Sequence, residues 1–122
     1  MGTFFIEAIV ENHIDRKKAA KISKILVDTG SEYTWLPANI LEKIDVVHEK
    51  KDLSFLMANG MIVTRSVGFA IIRINGHFTI DEVVFAEKGD LALLGARTLE
   101  GLNLVVNPTK KKLVAAGPIP AA

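Results

Sequence analysis

Ile25-Leu26-Val27-Asp28-Thr29-Gly30-Ser31 decides how this chain is read, and a second apolar run, Trp35-Leu36-Pro37, follows it within one short loop. An apolar strand that ends on a carboxylate sets a charge at the margin of a core, where burial disfavours the ionised form unless donors or a partner compensate it. Gly30 lacks the Cβ that would hold backbone N–H groups away from that carboxylate. The combination suits an acid–base catalyst. Asp-Thr-Gly is also ordinary loop chemistry, in which Asp28 does no more than cap a turn.

Working outward, Thr3 to Val10 is apolar and partly alternating, Asn12 to Lys21 reads as a polar connection, and Ser23 to Val27 reads as the strand that delivers Asp28. Downstream, Pro37 suits the first position of a short helix that carries Ile40, Leu41 and Ile44 on one face. Asn59-Gly60 and Asn75-Gly76 each stand between apolar runs, the strongest short-range hairpin signal. Two hairpins are therefore expected, Leu53 to Ala58 against Met61 to Ser66 and Val67 to Ile74 against His77 to Phe85. Leu91 to Leu94 reads as a buried strand, Ala96 to Gly101 as a short helix stopped by Gly101, and Leu104 to Val106 and Leu113 to Ala115 as closing strands. Many short strands with one or two short helices predict an all-β fold, a closed and mainly antiparallel barrel.

A chain of 122 residues corresponds to a single domain, residues 1–122. Hydrophobic residues make up 49%, high for a small domain with a soluble surface, so part of that excess is expected to be covered in a dimer. The formal net charge of +1 points to neither nucleic acid nor an anionic membrane as partner. Arg16-Lys17-Lys18 and Lys110-Lys111-Lys112 read as solvated loops. With no Cys, disulfides and thiolate metal sites are excluded. His13, His48 and His77 fit no metal-ligand spacing, and neither metal nor cofactor is expected. Glu7 and Glu11 interrupt the apolar amino terminus and no run approaches a membrane span, so a soluble, cytoplasmic protein is expected.

From Leu26 to Pro37 the chain reads hydrophobic-hydrophobic-Asp-Thr-Gly-Ser-x-x-x-Trp-hydrophobic-Pro, which resembles the signature of the aspartic peptidases, pepsin-like and retroviral-like. Leu91-Ala92-Leu93-Leu94-Gly95-Ala96-Arg97-Thr98-Leu99 resembles the family's hydrophobic-hydrophobic-Gly segment that leads into a short helix. The likeness extends from Ile25 to about Leu113. Pepsin-like enzymes carry two Asp-Thr-Gly motifs in two lobes, whereas this chain has room for one. The resemblance thus implies the retropepsin-like (acid protease) fold with one lobe per chain, and a C2 homodimer whose axis passes between two copies of Asp28.

What the resemblance implies about chemistry follows from that pairing. Two carboxylates roughly 3 Å apart cannot both ionise, so the pair shares one proton and titrates as a unit. One then acts as base on a water that attacks the scissile carbonyl, and the other supplies a proton to the oxygen that becomes negative. The resemblance makes Asp28 the catalytic residue, with Thr29 bridging the subunits, Gly30 giving the substrate room, and the Ser31 hydroxyl either donating to the Asp28 carboxylate or stabilising the turn. Leu56-Met57-Ala58-Asn59-Gly60-Met61-Ile62 resembles the flap that folds over a substrate. Substrate contacts are expected from Glu32, from Met57, Ala58, Asn59, Gly60 and Met61 of the flap, and from Leu94 and Gly95.

The chain departs from the family in places. Its one Tyr is Tyr33, so the pepsin-like flap Tyr is absent, and Trp35 is expected in the core. Arg97 lies two residues beyond Gly95 rather than next to it, which leaves its role in bracing a dimer open. The tail from Ala115 to Ala122, with Pro118 and Pro120, either adds an interface strand or hangs free. The expected function is an aspartic endopeptidase acting on a peptide or protein; the alternative is a non-catalytic peptide-binding or assembly module of the same fold.

Overall fold

The computed structural model describes residues 3–121, which are mostly strand. In chain order the elements are β1 (Phe5–Asn12), β2 (Ala19–Val27), β3 (Thr34–Pro37), α1 (Ala38–Lys43), β4 (Lys50–Leu56), β5 (Ile62–Ile74), β6 (His77–Ala86), β7 (Leu93–Leu94), α2 (Ala96–Leu102), β8 (Leu104–Asn107) and β9 (Lys112–Ala115). Seven strands form one sheet in the order β1-β2-β7-β3-β6-β5-β4, and β1 also pairs with β5, so the run of pairings returns on itself. Most pairs are antiparallel. The exceptions are β2 with β7 and β3 with β6. β8 and β9 make a separate two-stranded sheet.

Period-two alternation sorts the side chains. Along β5, Ala70, Ile72 and Ile74 enter the main core with Ile25, Leu36, Leu41, Val83, Phe85 and Leu94. Val67 points the other way, into a second cluster with Trp35, Val84 and Ala86, flanked by Tyr33, Leu53, Phe55, Met57, Val63 and Leu93. Trp35 is thus buried, as expected, but in the cluster beneath the β4–β5 hairpin.

The elements differ from the sequence reading where pairing overrides side-chain pattern. The segment read as a polar connection holds its turn at residues 13–18, but its last three residues are already strand, because Ala19, Ala20 and Lys21 pair with Glu11, Val10 and Ile9, and a ladder needs only backbone groups. Asn12 then ends β1: its buried Oδ1 accepts the Ile14 and Asp15 N–H groups while Nδ2 donates to the Ile44 and Asp45 carbonyls. The two expected hairpins share β5, since Val67 pairs with both Lys50 and Val84.

Asn75-Gly76 makes the expected two-residue turn, with φ of 48° and 84° and Ile74 opposite His77. Asn59-Gly60 does not. Leu56 faces Ile62, Gly60 N–H donates to the Met57 carbonyl at 2.9 Å, and Gly60 alone takes a positive φ, which makes a turn followed by a left-handed residue.

Pro37 is the last residue of β3 rather than the first of the helix, and only Leu93–Leu94 of the Leu91-to-Leu94 run is strand. Gly101 does not stop α2, which runs on to Leu102 and ends at Asn103 in the left-handed conformation, φ 56°. What Gly101 supplies is close approach. A Cβ there would meet the Thr79 side chain on β6, 2.5 Å from its hydroxyl. Beyond β9 the tail adds no strand as far as residue 121, and it is tied back by Asn103 Nδ2 donating to the Gly117 carbonyl at 2.9 Å.

Candidate active site

The Ile25-Leu26-Val27 strand ends on Asp28 because Ile25 and Val27 are buried on one side of the sheet while β7 lies parallel beside it, Leu26 against Leu93 and Val27 against Leu94. β7 also touches β3 at Trp35. The short strand is thus wedged between the two strands that flank the Asp28 loop.

That wedge clamps the loop. Asp28 N–H donates to the Leu94 carbonyl (3.0 Å), Ala96 N–H to the Ser31 carbonyl (2.7 Å) and Arg97 N–H to the Glu32 carbonyl (3.2 Å). Gly95 fits against the loop so closely that a Cβ would lie 2.6 Å from the Tyr33 carbonyl carbon and 2.8 Å from the Glu32 carbonyl oxygen. Only glycine permits that approach. Asp28 Oδ1 accepts the Gly30 N–H at 3.0 Å, the interaction expected of a glycine at that spacing.

Of the two roles open to Ser31, the structure shows the second. Its hydroxyl donates to the Tyr33 carbonyl at 2.9 Å and so braces the turn instead of the carboxylate. Thr29 and Gly30 are exposed, as is Glu32. Leu94 is fully buried in the main core and Gly95 is covered by the loop, so both act as supports and neither presents a side chain to a ligand. In the hairpin, Met57 is half-buried in the second cluster, while Ala58, Asn59, Gly60 and Met61 are exposed. Leu56, Met61 and Ile62 are large apolar residues left in solvent around this tip.

Three interactions absent from the sequence reading join these parts. Thr34 and Thr98, both fully buried, bring their hydroxyls to 2.6 Å; Thr34 Oγ1 accepts the Gly95 N–H at 3.0 Å and Thr98 Oγ1 donates to Asp81 Oδ2 at 2.9 Å. Next to Asp81, Glu82 is held by Lys50 of β4 on one oxygen and by Arg97 of α2, 3.3 Å away, on the other. The Lys50 hydrogen bond, helped by Tyr33 and Arg97, outweighs burial and holds the Glu82 carboxyl below the usual carboxylate range. Arg97, whose role was left open, also lies 4.7 Å over the Tyr33 ring, and Tyr33 and Trp35 both meet Phe55 edge-on.

The third interaction ties the hairpin to the turn before β7. Arg65 binds Asp90 through two parallel hydrogen bonds of 2.7 and 3.0 Å, with the two side chains about 15% and 14% exposed. Arg65 first of all, then a backbone contact from Glu87, lowers the Asp90 carboxyl below its ordinary range. A legible signal existed for the acidic pair: Asp81-Glu82 interrupts a run that is otherwise apolar on both sides. Nothing in the sequence marked Thr34, Thr98 or Arg65.

A cavity of about 540 Å³ lies elsewhere, lined by Lys17, Lys18, Lys21, Lys43, Ile40 and Ile44 together with Ala19 and Ala20, and shares no residue with the Asp28 loop. Two of its lysines already have acidic partners, Lys18 with Asp45 and Lys21 with Glu7. Among the described residues no helix is long and apolar enough to cross a membrane.

No protein-family model matches the chain, and no curated protein does. Among solved structures it is similar to the retroviral protease-like domain of Ddi1 from Leishmania major, with a TM-score of 0.60 over 94% of this chain and 89% of that one, at 12% identity. A likeness at that identity concerns the backbone alone. Together with the strand order and the clamped loop, it gives this chain a retropepsin-like fold.

Proposed function

We propose that the protein is an aspartic endopeptidase that works as a homodimer, each subunit contributing one Asp28. The observation that carries this reading is the loop itself. Three backbone hydrogen bonds from residues 94–97 hold a part-exposed carboxylate at the end of a buried strand, and the exposed Thr29 and Gly30 lie beside it. A carboxylate that merely capped a turn would need no such clamp.

In the dimer the two Asp28 side chains share one proton. The ionised one takes a proton from a water between them, the water oxygen bonds to the scissile carbonyl carbon, and the protonated one gives its proton to the carbonyl oxygen. As the tetrahedral intermediate collapses, the C–N bond breaks, the amine leaves with the proton first taken from water, and a hydroxyl of the intermediate returns one proton to the other carboxylate. Thr29 bridges the subunits and keeps the carboxylates coplanar. The apolar tip at Leu56, Met61 and Ile62 closes over an extended peptide and excludes water.

The test compares wild type with Asp28→Asn on a mixed peptide library at mildly acidic pH, with and without a statine-type inhibitor, over a range of protein concentrations. Cleavage that rises more steeply than linearly with concentration, is blocked by the inhibitor and falls about 100- to 10,000-fold in Asp28→Asn is expected. Cleavage unchanged in Asp28→Asn excludes this chemistry. Saturable binding of peptides without turnover supports the non-catalytic module instead.

A further inference from the structure

We propose that Asp81 is a positioning residue for the Asp28 loop, acting through the hydroxyls of Thr98 and Thr34 on the backbone of Gly95. The consequence for catalysis rests on the peptidase reading; the consequence for the loop does not.

The direction of each proton follows from what each atom can do. Both Asp81 oxygens accept: Oδ1 takes the Glu82 N–H at 2.7 Å and Oδ2 takes the Thr98 hydroxyl at 2.9 Å. Having given its proton to Asp81, Thr98 can only receive from Thr34 at 2.6 Å, and Thr34 in turn receives from the Gly95 N–H at 3.0 Å. Every proton then has an acceptor in a region where both threonines are fully buried. If the order is reversed, with Asp81 donating to Thr98 and Thr98 to Thr34, the Thr34 proton loses its place in the chain, and an orphaned buried donor is costly. An ionised carboxylate at position 81 therefore sets the polarity of the whole relay.

What the relay holds is the hinge of the clamp. Gly95 sits between Leu94, whose carbonyl takes the Asp28 N–H, and Ala96, whose N–H holds the Ser31 carbonyl. Displacing Gly95 moves both contacts together. The neighbouring pair works in the same sense, since Arg97 and Thr98 at the start of α2 grip Glu82 and Asp81 of β6 respectively.

Asp81→Asn tests the charge at constant shape. Asn supplies one acceptor where two are used, so either the Glu82 N–H or the Thr98 hydroxyl meets an N–H donor. The full chain is compared as wild type, Asp81→Asn, Thr98→Val and Thr98→Ser, following amide exchange at Gly95 and Asp28 by NMR and, on a cleaved peptide, kcat and KM separately. Asp81→Asn and Thr98→Val should each speed exchange at both amides about tenfold and lower kcat about tenfold with KM little changed, the size of one hydrogen bond to a charged group. Thr98→Ser, which keeps the hydroxyl, should restore wild-type behaviour. Wild-type exchange at Gly95 in Asp81→Asn, or equal effects of Val and Ser at position 98, overturns the proposal. Should Thr98→Val fail to fold, Asp81→Asn decides. If the wild type cleaves nothing, the peptidase reading fails while the exchange data still judge Asp81.

Discussion

The loop that carries Asp28 and the tip of the β4–β5 hairpin are held by different means. The loop is fixed backbone to backbone, by hydrogen bonds from residues 94–97 and by a glycine pressed against two carbonyls. Beyond Val67, where the β5–β6 ladder ends, the hairpin is held by side chains, through Lys50 to Glu82, Arg65 to Asp90 and Phe55 on Tyr33 and Trp35. Its tip has only its own turn, with the Met57 N–H on the Met61 carbonyl and the Met61 N–H on Asn59 Oδ1. A backbone clamp allows no side-chain rotation to relieve it, whereas a root anchored by side chains leaves the tip a local unit that opens at low cost. Under the peptidase reading, the carboxylate needs the first arrangement and a cover over a peptide needs the second.

The largest expected effect breaks the clamp. In Gly95→Ala the new methyl meets the Tyr33 and Glu32 carbonyls, backbone atoms that cannot turn aside. Destabilisation of about 3 kcal/mol is expected from overpacking at a site with no room to relax. Denaturant unfolding should show it as a lower midpoint, and under the peptidase reading activity should be lost even in the fraction that stays folded. Wild-type stability in this variant would mean that the loop is not clamped as described.

This contrast also marks what the sequence could tell. The strand ending on Asp28, the apolar run before Gly95 and the turn at Asn75-Gly76 were legible because each depends on local pattern, while the retropepsin-like backbone was expected from a family resemblance. The length of β2, the continuity of β5 and the true role of Gly101 were not, because a ladder partner or a facing Thr79 lies far away in the chain. Around Asp28, the approach of the Gly30 N–H to the carboxylate was readable from the spacing. For Ser31 the sequence left two roles open, donor to the Asp28 carboxylate or brace of the turn, and the folded turn takes the second, with the Tyr33 carbonyl as acceptor. Thr34, Thr98 and Asp81 meet only after 64 and 17 residues of intervening separation are folded away, and no pattern of residue types encodes such a meeting.

A smaller effect is expected at the root of the hairpin. Arg65→Gln removes two hydrogen bonds to a mostly shielded carboxylate and should cost about 2 kcal/mol. Its pH dependence has a definite sign. Asp90 is depressed in the folded state, chiefly by the Arg65 hydrogen bond, so its stabilisation is complete above the unfolded carboxylate value of about 3.9 and is lost as pH falls through the lower folded value. Thermal melts should therefore separate wild type from Arg65→Gln by a constant margin from neutral pH down to about pH 4, with the margin closing below that. A margin that closes nearer neutrality would assign the stabilisation to another group.

The smallest effect is expected at the tip, and it bears most directly on whether the two regions are independent. Gly60 has φ of +84°, and a Cβ there would meet nothing within 4 Å, so Gly60→Ala introduces backbone strain without a clash. The cost is about 1 kcal/mol, the penalty an L-residue pays for a left-handed conformation. Because a Cβ at Gly60 touches nothing, that strain reaches the clamp only through the hairpin's own root, where Met57 and Phe55 pack. Amide exchange in the mutant should quicken around Met57 to Met61 and stay at wild-type rates at Asp28 and Gly95. Under the peptidase reading, KM should rise more than kcat falls, since a loosened cover weakens capture of the peptide before it disturbs the carboxylates. If the Asp28 and Gly95 amides quicken as well, the Phe55 contact with Tyr33 and Trp35 carries strain from hairpin to loop. The two regions would then open as one cooperative unit, and the hairpin would set the geometry of the Asp28 carboxylate as well as its exposure.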